Sequence, residues 1–282
     1  MSAIATDSAL VERARGGDLG ALDALLRGLQ RPLYNLALRV LGRREDAQDA
    51  TQEVLVKVAT HLGTWRGESA FGTWVYAIAS HHLLNVRLRS PARAELSFEE
   101  LGLRLDRGEA YAQRVGWDEA AMSAEDRVHA RRTALACTQA MLMCLDPPGR
   151  LAYVLDVVFG LPSPQAAEVQ GITPAAHRQR LARARAAVHG FMEKRCGLVD
   201  RNAPCRCARQ VPSRRAAAAR GTLPGGLEVG DDDLAAAEHG LRELVAMGDA
   251  AAVMRGSPQY APPKALTDGI RRIVEQALLF KP

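Results

Sequence analysis

Apolar positions recur at three- and four-residue steps along most of the chain, a period that predicts helices rather than strands. Leu33, Leu36, Ala37, Val40 and Leu41 form one stripe, and Gly42 supplies the residue that closes such a helix. A second stripe, Ala47, Ala50, Val54, Leu55, Val58 and Leu62, predicts a helix over about 46–62, with Asp46, Asp49, Gln52 and Glu53 along its other side. Upstream, Leu10, Val11, Ala14, Leu22, Leu25, Leu26 and Leu29 predict an opening helical segment over 8–30 that restarts at Gly16-Gly17-Asp18; Pro32 is expected to bend or restart the chain. Downstream, Phe71, Trp74, Val75, Ile78 and Ala79 predict a third helix, and an aromatic stripe at that spacing normally packs inward.

From Ser90 to about Asp126 the period dissolves, so this stretch reads as an interdomain linker in which Tyr111, Val115 and Trp117 either meet a partner or pack loosely on a domain. Helices resume near Ala130 with Ala134, Ala136, Cys137, Ala140, Met141 and Cys144 and stop at Leu145-Asp146-Pro147-Pro148. A further apolar segment spans about 149–159, closed by Gly160. Ser163-Pro164 and Thr173-Pro174 each pair an N-capping hydroxyl with proline at the first helical position, with Gly171 in the turn between. Helix, glycine turn and helix make a helix-turn-helix.

The helix from Pro174 to about Arg195 is expected to bury Leu181, Ala184, Val188 and Phe191 or Met192. At 100° per residue its opposite face carries Ala175, Gln179, Ala182, Arg183 and Ala186, flanked by Arg178 and Arg185. Small residues between arginines let a helix lie deep in a major groove, where Arg and Gln read base edges or hold phosphates. A solvated basic face is the plainer alternative.

The composition fits an almost wholly helical protein: 48% of residues are hydrophobic, enough for real cores, while only 5% are aromatic. A net charge of +5 is too mild to establish a nucleic-acid partner, but its distribution is uneven. Arginines gather in 178–195 and 201–220, acids near 99–126 and 231–243. The N-terminus shows no signal-peptide pattern and no apolar run is long enough to span a bilayer, so a cytoplasmic protein with no membrane partner is expected. Five cysteines, an odd number, argue against a secreted disulfide framework. Cys196, Cys205 and Cys207, with His189 nearby, offer zinc ligands or a redox-sensitive pair, although the spacing is not a standard zinc pattern and simple chain reversal is the alternative. Residues 211–230 read as a flexible tether, followed by helices near 232–247 and 266–280 whose apolar faces are too small to stand alone and should dock.

Two sets of residues resemble one family. Pro32-Leu33-Tyr34-Asn35-Leu36-Ala37-Leu38-Arg39, Arg44-Glu45-Asp46-Ala47, Gln52-Glu53-Val54, Gly67-Glu68-Ser69, Phe71 and Thr73-Trp74 resemble the second conserved region of bacterial sigma factors, in the small extracytoplasmic-function group. Leu145-Asp146-Pro147-Pro148, Ala166 to Thr173 and Arg180-Leu181-Ala182-Arg183-Ala184-Arg185 resemble the fourth conserved region. His177 departs from the pattern, standing where the family prefers an apolar β-branched residue, and Pro174 replaces an acidic or polar one.

The resemblance implies an all-α protein of two small helical domains, one for promoter melting and one a helix-turn-helix, joined by a linker and followed by a helical extension. The expected divisions are 1–90, linker 91–128, 129–195, a cysteine-containing tether 196–230 and the extension 231–282. It further implies that Asp46, Asp49, Gln52 and Glu53 dock on core RNA polymerase, at the clamp coiled coil. The unstacked minus-ten strand of promoter DNA falls to Trp65, Arg66, Ser69, Thr73, His81, Asn85, Arg87 and Arg89, and the duplex minus-thirty-five element to Arg178, Gln179, Arg183 and Arg185. Independently of the family, Trp65 and Arg66 on a glycine-flanked turn cannot both be buried, and an aromatic beside a guanidinium suits a splayed base. An anti-sigma factor or the C-terminal extension itself would restrain such a protein. No catalytic constellation stands out and no cofactor is required. A stand-alone helix-turn-helix regulator binding duplex DNA is the alternative function.

Overall fold

The structure, a computed structural model, describes residues 4, 7–88, 96–220, 249–256 and 258–279. Every regular element among them is helical, apart from one isolated β-bridge between Cys196 and Cys205. No helix among the described residues is long and apolar enough to cross a membrane. The chain divides into two compact units, one made of residues 1–92, 151–181 and 259–282, the other of 93–150 and 182–258.

The first unit is built on α1 (Ser8–Arg15), α2 (Leu19–Leu41), α3 (Arg44–His61) and α4 (Phe71–Leu88). Asp18 caps α2, its carboxylate accepting from the Ala21 N–H at 3.0 Å. Contrary to expectation, α2 runs unbroken through Pro32. Gly28, whose carbonyl loses its partner there, is exposed, so water solvates it; beyond the proline every residue from Leu33 to Leu41 is buried. Packing decides the matter over local preference. Gly42 ends the helix at φ 82°, a left-handed conformation that glycine adopts without strain, and returns its N–H to the Leu38 carbonyl. Leu25, Leu26, Leu29, Leu36, Leu55 and Val75 form the centre of the core, each no more than 2% exposed.

Arg39 is also buried here, held by the Asn35 Oδ1 at 2.8 Å and flanked by the rings of Phe159 and Tyr260. Burial pulls its pKa below the usual arginine value. Further members of this unit are the π-helical turn Val154–Val158, α8 (Ser163–Val169) and α12 (Lys264–Leu279). The predicted C-terminal helix is thus present, and it packs on α2 and α3.

The second unit corrects three readings. The expected linker contains α5 (Phe98–Arg114), opened by a capping box in which the Glu100 N–H donates to Ser97 Oγ and the Ser97 N–H to the Glu100 carboxylate. The helix expected near Ala130 starts earlier: α6 spans Ala124–Met143, with the same device at Ser123 and Asp126. Within the expected tether, α10 (Val211–Ala219) packs on α5 and α6, tied by Arg215 to Asp126 at 2.6 Å. α7 (Pro147–Tyr153) follows α6, and Arg150, wholly buried, donates to the carbonyls of Leu142, Met143 and Leu145 at and just beyond the end of α6. α11 (Ala250–Arg255) is short; the helix expected over 232–247 lies outside the described residues.

Candidate nucleic-acid interface

α9 (Pro174–Arg195) shows the expected two faces. Leu181, Ala184, Val188 and Met192 are buried, while Ala175, Arg178, Gln179, Ala182, Arg183, Arg185 and Ala186 are exposed. The N-cap is as predicted, Thr173 Oγ1 accepting from the Ala176 N–H at 3.2 Å. Gly171, at φ 62°, makes the turn from α8. Ser163, expected to cap α8, does not: its hydroxyl donates to Asp156 Oδ2 at 2.7 Å, where a half-buried carboxylate competes better than a backbone N–H beside Pro164. That carboxylate also faces His177 Nε2 at 3.5 Å, and His177 Nδ1 accepts from Gln170 Nε2 at 2.8 Å. His177 is fully buried, as an inner-face residue should be, and its network joins both sides of the turn. Four polar tips, Arg178, Gln179, Arg183 and Arg185, thereby project from one rigid helix with alanines between them.

The 65–70 loop is less open than the sequence suggests. Trp65 is half-buried, edge-on to Phe71 at 5.4 Å, with its indole N–H donated to the Ser69 carbonyl and the Arg15 guanidinium over its ring. Arg66 is exposed, so the expectation that the pair cannot both be buried holds. Thr73 is buried, 2% exposed, and its hydroxyl accepts from Gln165 at 2.8 Å, which keeps it from solvent in this form. On α4, His81 is exposed and Asn85 and Arg87 are half-buried, with Asn85 Nδ2 3.3 Å from His81 Nε2; Arg89 lies outside the described residues.

On α3, Asp49 and Glu53 are exposed while Asp46 and Gln52 are half-buried. Sequence reasoning missed His82, which is buried between Lys57 Nζ at 2.9 Å and Glu53 Oε2 at 3.6 Å. It ties the end of the acidic face to α4. Glu53 and Lys57 stand four apart on α3, but nothing in the sequence marked His82, on α4, as their shared partner.

Cys196, Cys205 and Cys207 line one small cavity with Cys137 from α6 and Met192 from α9. Burial pushes the Cys205 thiol up to about 11 and raises Cys137, Cys196 and Cys207 as well. No group of three His, Cys, Asp or Glu side chains among the described residues is placed to hold a metal ion, so the zinc reading gains no geometry. Burial lowers the His189 pKa below the ordinary imidazole value.

Comparison with known proteins matches residues 25–93 to the model of sigma-70 region 2 and residues 135–188 to that of sigma-70 region 4. The RNA polymerase sigma-H factor of Pseudomonas aeruginosa is 38% identical over 98 residues, 33% of this chain and 50% of that protein. The ECF RNA polymerase sigma-E factor of Haemophilus influenzae is 36% identical over 98 residues, 34% of this chain and 51% of that protein. That of Escherichia coli K12 is 39% identical over 79 residues, 28% of this chain and 41% of that protein. The chain thus spans about half the length of the relatives it matches. Among solved structures, CnrH in complex with the cytosolic domain of CnrY aligns with a TM-score of 0.46 at 20% identity, covering 68% of this chain and 98% of that one.

Proposed function

We propose that this chain, a member of the sigma-70 family in its extracytoplasmic-function group, binds core RNA polymerase and directs it to initiate transcription at a subset of promoters. The observation that carries the reading is the presence of both regions, in order, in one chain: residues 25–93 and 135–188. A stand-alone helix-turn-helix regulator would use the second and leave the first without a task.

In this reading the exposed Asp49 and Glu53, with Asp46 and Gln52, form the docking face for the polymerase clamp. Trp65, Arg66 and Ser69, with His81, Asn85, Arg87 and Arg89, receive the non-template strand at the minus-ten element, where Trp65 must leave Phe71 to stack on a base. Thr73 joins them only if Gln165 lets go of its hydroxyl. Stacking a flipped base contributes about 1–3 kcal/mol, comparable with the few kcal/mol needed to unstack it, so binding alone drives strand opening and no catalytic group is required. Arg178, Gln179, Arg183 and Arg185 read the minus-thirty-five duplex from α9. The protein works in the cytoplasm, restrained by an anti-sigma factor or by its own C-terminal segment.

The test is assembly. Purified core polymerase, mixed with the full-length protein and a promoter fragment, should yield permanganate-reactive thymines at the minus-ten element. Protein-dependent binding of the fragment without polymerase, and no reactivity with it, would favour the duplex-binding regulator.

A further inference from the structure

We infer that the C-terminal segment over 259–279 is a built-in lid on the α3 face that the proposed polymerase docking needs; the inference rests on that reading of the face. α12 lies against both α2 and α3 and buries Leu266, Ile270 and Ile273, each no more than 2% exposed, with Val274 at 9%. At Gly269 its backbone passes near the docking set: a Cβ there would stand 4.0 Å from Gln52 Nε2. Gln52, in the middle of the set, is half-buried, while its neighbours Asp49 and Glu53 stay exposed. A helix seated over Gln52 and a polymerase element engaging Asp49, Gln52 and Glu53 together cannot occupy α3 at once.

The segment is latched by polar groups. The Asn35 side chain exchanges two hydrogen bonds with the Tyr260 main chain, donating to its carbonyl and accepting from its N–H, both at 2.8 Å. Gln30 Nε2 donates to the Leu266 carbonyl at 3.0 Å and Arg31 to the Gln259 carbonyl at 2.7 Å, while the Tyr260 ring covers Arg39 at 5.4 Å. Each group released by opening is an amide, carbonyl or guanidinium that water readily solvates, so the latch is reversible. A lone helix of 16 residues is marginal in water, so α12 depends on the surface it covers and yields to a competitor for it. The apparent affinity for polymerase is then the intrinsic affinity scaled by the open fraction.

The experiment compares full-length wild type with Ile270→Glu/Ile273→Glu, measuring affinity for purified core RNA polymerase and, on wild type alone, amide exchange with and without polymerase. The lid predicts at least tenfold tighter binding by the variant, and loss of protection over 264–275 as α3 gains it. Equal affinities, or α12 amides that keep their protection in the complex, overturn the lid and leave polymerase docking standing. Binding by neither protein overturns the docking reading and the lid with it. The wild-type exchange decides the question even if the double variant does not fold.

Discussion

Replacing Arg150 by methionine tests whether a buried cation truly caps α6. The side chain is wholly buried and its guanidinium reaches three main-chain carbonyls, Leu142 at 2.8 Å, Met143 at 3.1 Å and Leu145 at 2.8 Å. Hydrogen bonds to a charged group contribute about 1.5–3 kcal/mol each, so three amount to roughly 4–9 kcal/mol. Methionine has no desolvation penalty of several kcal/mol, which offsets much of that loss. The Leu142 carbonyl keeps the Leu145 N–H at 3.1 Å, so what remains is the cost of the Met143 and Leu145 carbonyls losing this donor, about 1–3 kcal/mol apiece where water cannot enter, plus the lost dipole interaction of about 0.3–1 kcal/mol. A net destabilisation of about 3 kcal/mol follows, and Arg150→Lys, with one compact donor group in place of a planar fork, should fall between. Urea unfolding followed by Trp117 fluorescence, in a background where Trp65 and Trp74 are phenylalanine, reads the second unit directly. A methionine variant within about 0.5 kcal/mol of wild type, the range of an ordinary surface substitution, would refute the capping argument.

Gln179→Ala and Arg183→Ala should each weaken binding to the cognate duplex by about 1–3 kcal/mol and relax preference at one base position, read by competition with single-base variants. Arg178→Ala and Arg185→Ala should instead weaken binding to all duplexes alike and lower the salt slope by about one unit each if they hold phosphates, measured between about 50 and 200 mM salt. The capping serines hold two carboxyls below their ordinary values: Glu100 chiefly through the Ser97 N–H, Asp126 chiefly through the Ser123 hydroxyl. Such depressed groups contribute stability that is fully present above the ordinary carboxylate pKa and is lost as pH falls through the lowered values. Stability should therefore fall below about pH 4, and Glu100→Gln/Asp126→Asn should flatten that acid limb; an unchanged slope would exclude the capping boxes as its source.

How legible the sequence was depended on one-sided burial. α3 and α9 each bury a clean stripe and leave the other positions half-buried or exposed, so their periodicity predicted both the helix and its faces; the α9 residues expected outside are all exposed. α5 was read as linker because its stripe is thin, with Leu101, Gly102, Gly108 and Ala112 buried among seven charged side chains, although Ser97 followed by Glu100 was a capping signal in plain view. α10 looked like a tether because alanine and arginine carry no strong period; its docking on α5 and α6 rests on partners about a hundred residues away, such as Gln210 with the Leu105 carbonyl. Pro32 misled for a related reason, since a buried helix overrides a local breaker. Arginine is ordinarily an exterior residue, so nothing local marked Arg39 or Arg150 as buried. Cys137 joined the other thiols only through the fold, its nearest partner among them lying 59 positions away in sequence at Cys196. The thiols came together without forming a metal-holding group, so the sequence cluster overstated that chemistry.

The most direct test of the central claim is run-off transcription by core RNA polymerase on templates drawn from the chain's own genomic neighbourhood, with wild type, without protein, and with Asp49→Lys/Glu53→Lys. Both positions are exposed, so reversing their charge leaves the core of α3 intact. Discrete transcripts that require the protein and disappear with the double lysine variant are expected, while duplex binding by α9 persists. Transcripts that never depend on the protein, or that survive the charge reversal undiminished, would contradict the claim.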